Sequence, residues 1–183
     1  MAYNQARNRR KLRRRLRQFK LPGRISRFLL FMLGLGLTII LGIIAVQVFG
    51  RKIVVESNAM EPTLAENQIV NINKLAYAIS SPKRQDVIVF EVGKSGGRRY
   101  IRRVIGLPNE TVRIKDGVIY INDEPLEIDF NDDYLINGGL AEEGVTLEID
   151  EYFVIADNYN EAEDSRLSSI GNIQKEQIIG KIQ

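Results

Sequence analysis

The chain has 183 residues with no cysteine and no histidine, which excludes disulfides, thiolate nucleophiles, imidazole bases and the usual zinc-ligand sets. That length holds one modest domain plus an anchor. The formal net charge of +3 is unevenly spread: residues 1–27 carry eleven Lys or Arg and no acid, leaving 15 basic against 23 acidic residues in the remainder.

In chain order, residues 1–27 read as a basic cytoplasmic tail whose arginines meet anionic lipid rather than nucleic acid. Residues 28–50 follow with no charge and many Leu and Ile. A helix of that length, at about 1.5 Å per residue, reaches roughly 34 Å and crosses a hydrocarbon core of about 30 Å. The run exceeds the roughly 7–15 apolar residues of a cleaved signal peptide, and no small-x-small pair closes it. It is expected to be an uncleaved transmembrane anchor. Only Arg51 and Lys52 follow it before Glu56, so the excess of positive charge places the N-terminus in the cytoplasm and residues 51–183 outside.

Beyond the anchor, short β-branched runs alternate with turn signals. Strands are predicted at 53–55, 68–72, 86–91, 100–105, 111–114, 118–121, 145–149, 152–156 and 177–181. Asp116-Gly117 between two alternating runs predicts a tight hairpin. A short helix is expected over 74–80, ended by Ser81-Pro82, and a polar surface insertion over 131–144. Many short strands and no long soluble helix predict a mainly β fold: one N-terminal transmembrane helix followed by an all-β domain. The acids are scattered without calcium-loop spacing, so no metal and no organic cofactor is expected.

Just after the anchor stands Glu56-Ser57-Asn58-Ala59-Met60-Glu61-Pro62-Thr63-Leu64, which resembles the S-x-S-M-x-P-T-L signature of bacterial type I signal peptidases. Asp86-Val87-Ile88-Val89-Phe90 resembles that family's G-D-V-I-V-F segment, with Gln85 in place of the glycine. Tyr100-Ile101-Arg102-Arg103-Val104-Ile105-Gly106-Leu107-Pro108 resembles Y-I-K-R-V-I-G-L-P. The stretch from Asp157 through Asn158, Asn160, Ala162, Asp164 and Ser165 to Arg166 resembles D-N-x-N-x-S-x-D-S-R, and Ile178-Ile179-Gly180-Lys181 resembles the closing I-V-G-K. These blocks occur in the family's order over most of residues 28–183.

The resemblance implies a signal-peptidase-like β domain in which a serine hydroxyl attacks and a neutral lysine amine takes its proton, a Ser-Lys form of hydroxyl-plus-base catalysis. Carried over by position, the nucleophile falls on Ala59 and the general base on Arg102. Alanine has no nucleophilic atom, and a guanidinium has donors but no basic lone pair. The serine that orients the lysine amine falls on Ala162. Ser57 stands at the oxyanion serine, either as a retained polar contact or as a turn serine bonded to nearby backbone. Asp164, Ser165 and Arg166 are expected to hold the loop behind the site. Met60 and Ile101 are expected to line the groove for small substrate side chains or to be β core. Arg102 and Arg103 read as a strand pair, with Asp164 or Glu163 neutralising the inward one.

Three functional readings follow. The leading one is a non-cleaving member of the family that binds signal peptides or exported preproteins by strand addition. Inactive relatives assist the assembly of surface structures such as pili. The second is an active type I signal peptidase whose serine and lysine were replaced at positions 59 and 102, which the codons of the gene would reveal. The third is a structural membrane protein with no peptide groove.

Overall fold

The computed structural model describes residues 23–49, 51–78, 80–93, 96–128, 135–159 and 163–183. Its first element, α1, is one 27-residue helix, Gly23–Phe49. Within it the 24-residue stretch Gly23–Val46 is long and apolar enough to cross a membrane, and none of its most apolar window is buried. The helix includes the five residues before the uncharged span, and within it Arg27 Nε donates to the Gly23 carbonyl at 3.0 Å. The expected basic tail lies outside the described residues up to position 22.

The chain forms two units divided between Ile44 and Ala45, and the second holds all the β structure. Its strands are β1 (Lys52–Val54), β2 (Ile69–Asn73), β3 (Val87–Val92), β4 (Arg98–Gly106), β5 (Thr111–Lys115), β6 (Val118–Ile121), β7 (Glu124–Pro125), β8 (Val145–Thr146), β9 (Glu151–Ile155), β10 (Ile173–Gln174) and β11 (Ile178–Ile182). A seven-stranded sheet runs β1-β2-β11-β3-β4-β9-β10, and a four-stranded sheet runs β7-β6-β5-β8. The fold is mainly β with one N-terminal apolar helix.

Strand β3 shows why the residue pattern gives this architecture. Ile88 and Phe90 enter a cluster with Val104, Tyr152 and Val154, whereas Val89 enters another with Val55, Met60, Leu64 and Val70. Burial on both faces requires a continuous apolar run rather than alternation. Each fully buried side chain of this kind stabilises the fold by roughly 1.5–3 kcal/mol relative to exposure. In β5, by contrast, buried Val112 and Ile114 alternate with partly or fully exposed Thr111, Arg113 and Lys115. One face of β5 therefore covers a third cluster that includes Ile105, Ile119, Leu147 and Phe153.

The predicted hairpin joins β5 to β6, with Asp116 at φ 52° and Gly117 at φ 81°. Positive φ at both central residues is what a type I′ turn demands. Gly106 ends β4 where the pairing with β9 slips by one residue. A Cβ there would lie 2.5 Å from Val112 Cγ2 and 2.9 Å from Phe153 Cβ, so this crossing of the two sheets admits only glycine.

Several expectations are corrected. Residues 74–78 form turns, not a helix. Asn73 Oδ1 accepts from the Leu75 amide at 3.0 Å, and so short a run does not offset the cost of helix nucleation; Ile79, within the same predicted segment, lies outside the described residues. The polar 131–144 segment is not simply a surface insertion, because Leu135 is 1% and Ala141 0% exposed in the inter-sheet core; its residues 131–134 lie outside the described residues. The strand expected over 145–149 stops at Thr146, since Leu147 turns its side chain into the core and its amide to the Glu110 carbonyl at 2.8 Å. Strands β7 and β10 were not expected. Each has two residues, too few to carry a period.

Candidate functional site

Ala59 sits on a single 3-10 turn, Asn58–Met60, directly after the chain leaves β1. The turn is fixed from the far end of the domain: the Asn158 amide donates to the Ala59 carbonyl at 3.0 Å, and Asn158 Nδ2 to the Asn58 carbonyl at 3.4 Å. Ala59 and Met60 are buried at 2% and 1% exposure. Met60 belongs to the same apolar cluster as Val55 and Val89, against which Ile101 also packs. Ser57 precedes the turn in extended backbone, exposed, with no side-chain capping hydrogen bond.

Facing this segment is the first half of β4. β3 pairs along all of Arg98–Arg103, whereas β9 pairs only with Arg103, Val104 and Gly106. The Arg98–Arg102 run therefore has a strand on one side only. Val104 exchanges both backbone hydrogen bonds with the chain entering β3, at Gln85 and Asp86. Alternation along the strand then turns the amides and carbonyls of Arg99 and Ile101 away from β3. β1 is itself an end strand paired only to β2. Between these two open edges lies a groove of about 680 Å³, bordered by Ile53–Met60 on one side and Arg98–Arg102 on the other, with Glu163 at its rim.

Arg102 lines this groove and is only 4% exposed. Its Nε donates to the Glu163 carbonyl at 2.9 Å and its Nη1 to the Ile101 carbonyl at 2.6 Å. The guanidinium carbon lies 5.5 Å from the centre of the Tyr100 ring, which in turn stacks on Phe90. Burial pushes the Arg102 pKa down from its ordinary value, opposed by the charges of Asp164 and Glu163. Arginine stays protonated in proteins even so, and Arg102 therefore puts a cation in the lining of the groove.

Arg103, one residue on, points to the opposite face of β4 and grips Asp157 with Nε at 2.8 Å and with Nη2. It also donates to the Gln85 carbonyl and the Thr63 hydroxyl, each at 3.0 Å. Asp157 is fully buried. Asp164 and Glu163, expected to neutralise the inward arginine, make no direct ion pair with Arg102 or Arg103 among the described residues, although their charges offset part of the burial of Arg102. Asp164 takes Arg166 at 2.9 Å and the Ala156 amide at 3.0 Å, and the Glu163 carboxylate pairs with Arg98 at 2.8 Å. Sequence reasoning missed Asp157, although the acid that opens the last motif block is the available signal. Ser165 Oγ accepts from the Val154 amide at 3.0 Å, and Arg166 reaches the carbonyls of Asn137 and Tyr159. Asp164, Ser165 and Arg166 thus tie the closing loop to β9. Ala162 lies outside the described residues. Among the described residues no group of three or more acids is gathered to hold a metal.

Chemically, the arrangement offers an open-edged groove lined by a buried cation, Arg102, and by the exposed hydroxyl of Ser57. A family model described as "Signal peptidase, peptidase S26" matches residues 26–183. Signal peptidase I U of Bacillus subtilis (strain 168) is 33% identical over 141 residues, 73% of this chain and 73% of that protein. Signal peptidase I of Leptolyngbya laminosa is 33% identical over 157 residues, 81% of this chain and 73% of that protein. A crystal structure of a signal peptidase I from Enterococcus faecalis V583 superposes with a TM-score of 0.48 at 28% identity, covering 57% of this chain and 99% of that one.

Proposed function

We propose that this chain, which belongs to the signal peptidase family, peptidase S26, holds exported precursors in its groove without cleaving them. Family membership implies signal-peptide-bearing preproteins as the molecules that reach the site. The observation that carries the non-cleaving reading is the pairing of Ala59 with Arg102 across that groove. Peptide-bond attack needs a hydroxyl to give up a proton and a neutral amine to accept it. Neither is present. Loss of the nucleophile from a unit of this kind costs roughly 10⁶ in rate, about 8 kcal/mol of barrier.

Binding does not need those groups. An extended segment adding to a strand edge is held chiefly by main-chain hydrogen bonds, and the open edges of β1 and of Arg98–Arg102 supply donors and acceptors on both sides. In this reading Met60 and Ile101 shape the subsite for small side chains, Ser57 offers a hydrogen bond to a bound carbonyl, and the Asp164–Arg166 loop supports the site from behind. The apolar helix anchors the domain at the outer face of a bacterial cell membrane, with the basic residues 1–27 on the cytoplasmic side against anionic lipid. A role beside export or in assembling a surface structure such as a pilus fits a holder that does not cut.

The test restores the chemistry. The combined variant Ala59→Ser, Arg102→Lys, Ala162→Ser, reconstituted in membranes with a signal-peptide-bearing preprotein, is expected to release mature product. The unaltered chain is expected to release none while still binding the preprotein saturably. Mature product from the unaltered chain, with contaminating peptidase excluded, overturns the reading.

A further inference from the structure

The Arg102 guanidinium is the one feature of the groove that a site emptied of its chemistry does not require. Its Nε and Nη1 meet neutral backbone carbonyls, and among the described residues no carboxylate lies in ion-pair range of it. A buried charge without a direct ion pair is costly, several kcal/mol in general, unless something compensates it, and here the more distant charges of Asp164 and Glu163 offset part of the burial. The nearby acids are occupied: the Glu163 carboxylate holds Arg98, and Asp164 holds Arg166.

Nη2 has no hydrogen-bond partner among the described residues. Arg102 lines the groove together with Ser57 and Ala59. The alanine side chain ends at Cβ, so nothing on residue 59 extends to meet the guanidinium. The groove thus has among its lining residues a guanidinium with one nitrogen, Nη2, not committed to a described partner, and a hydroxyl from Ser57 that makes no capping bond. Charged N–H groups of a guanidinium suit a carboxylate, whose oxygens accept without a proton of their own.

We infer that the groove is a carboxylate-reading peptide site, in which Arg102 binds a carboxylate presented by an extended peptide at the position facing Ala59. The carboxylate is either the peptide's own C-terminus, as on a segment already cut by another peptidase, or an Asp or Glu side chain. This rests on the groove reading above and narrows it to a class of occupant. It also assigns Arg102 a use distinct from the proton transfer that its position serves in the resemblance.

Four measurements of affinity for the full-length chain in detergent test this, using an alanine-rich ten-residue peptide labelled at its N-terminus and followed by fluorescence anisotropy. The peptide with a free C-terminal carboxylate is expected to bind at least tenfold more tightly than its C-terminal amide. The amide with aspartate as its last residue separates the two sources: tight binding assigns a side-chain carboxylate, and weak binding assigns the chain terminus. The fourth, Arg102→Gln, is expected to erase the acid–amide difference. Equal affinity of acid, amide and aspartate peptides for the unaltered chain overturns the carboxylate assignment and leaves the groove reading standing. No binding of any of the three overturns both. The comparison on the unaltered chain decides the matter even where Arg102→Gln does not fold.

Discussion

Arg102 and Arg103 are neighbours on one strand, yet their two faces of β4 treat a guanidinium in opposite ways. Arg103 meets a fully buried carboxylate in a fork, with further acceptors at Gln85 and Thr63. Arg102 meets two peptide carbonyls and an aromatic face, and lines the groove. One arginine completes the scaffold; the other lines the groove. The two faces of one strand therefore place different demands on the same side chain.

The strongest way to break this comparison is to remove the charge on the scaffold side. Arg103→Met removes the guanidinium that Asp157 meets in the interior and is expected to destabilise the fold by about 3–5 kcal/mol, as breaking a buried pair from one side does. Asp164→Ala, which strands Arg166 at 5% exposure, belongs to the same class. Urea unfolding of the full chain in detergent, followed by the β signal in circular dichroism, checks both. A loss under 1 kcal/mol for Arg103→Met removes the distinction between the two arginines.

Asp86 is an intermediate case and carries a pH signature. Burial raises its pKa, but hydrogen bonds from Lys181, the Lys83 amide and Tyr77 outweigh that and hold it below the ordinary carboxylate value. Tyr77 is pushed up, by burial first and then by Asp86 itself, and stays a donor. A carboxylate depressed on folding contributes stability that is present above its unfolded pKa, about 3.9, and is lost as pH falls through the lower folded value. Asp86→Asn is therefore expected to cost about 1–2 kcal/mol at pH 7, with the two chains converging in stability below about pH 4. A difference that stays constant down to pH 3 argues against a depressed Asp86.

Arg102→Met should behave unlike Arg103→Met. It loses two hydrogen bonds to carbonyls but also relieves a buried charge without a carboxylate partner, and apolar replacements of buried ions are often near neutral. A change of about 1 kcal/mol or less is expected in the same urea experiment. A loss matching that of Arg103→Met means that Arg102 is structural.

How much of this was legible in the sequence depends on what each feature rests on. The β2, β3, β5, β6 and β11 runs and the Asp116-Gly117 turn could be read because their pattern is local: β-branched residues in short runs, and a dipeptide that tolerates positive φ. The ordered motif blocks located Ala59 and Arg102 at one site although they are far apart in sequence. The Arg103–Asp157 pair was not legible, because it joins β4 to the loop after β9 and several acids were equally available on paper. The burial of Leu135 and Ala141 was also hidden. A polar, glycine-rich segment gives no sign that two of its residues plug the space between sheets. The open edge of β4 could not be read either, since it arises where β9 stops pairing, and strand neighbours are a property of topology rather than composition.

The smallest expected effect sharpens the comparison most. Ser57 is exposed, caps nothing, and stands where a turn serine and a groove serine look alike in sequence. A turn serine bonded to its backbone would cost about 0.5–2 kcal/mol on replacement by alanine, as lost caps do. A groove serine would cost the fold less than about 0.5 kcal/mol, as exposed substitutions away from special features do. Because its hydroxyl makes no capping bond, Ser57→Ala is expected to leave unfolding unchanged within that margin. It should weaken binding of the groove peptide about fivefold, the worth of one hydrogen bond near 1 kcal/mol. Unfolding and peptide affinity measured on one preparation separate the outcomes: lost stability with unchanged affinity puts Ser57 with Arg103 in the scaffold, and the reverse puts it with Arg102 in the groove.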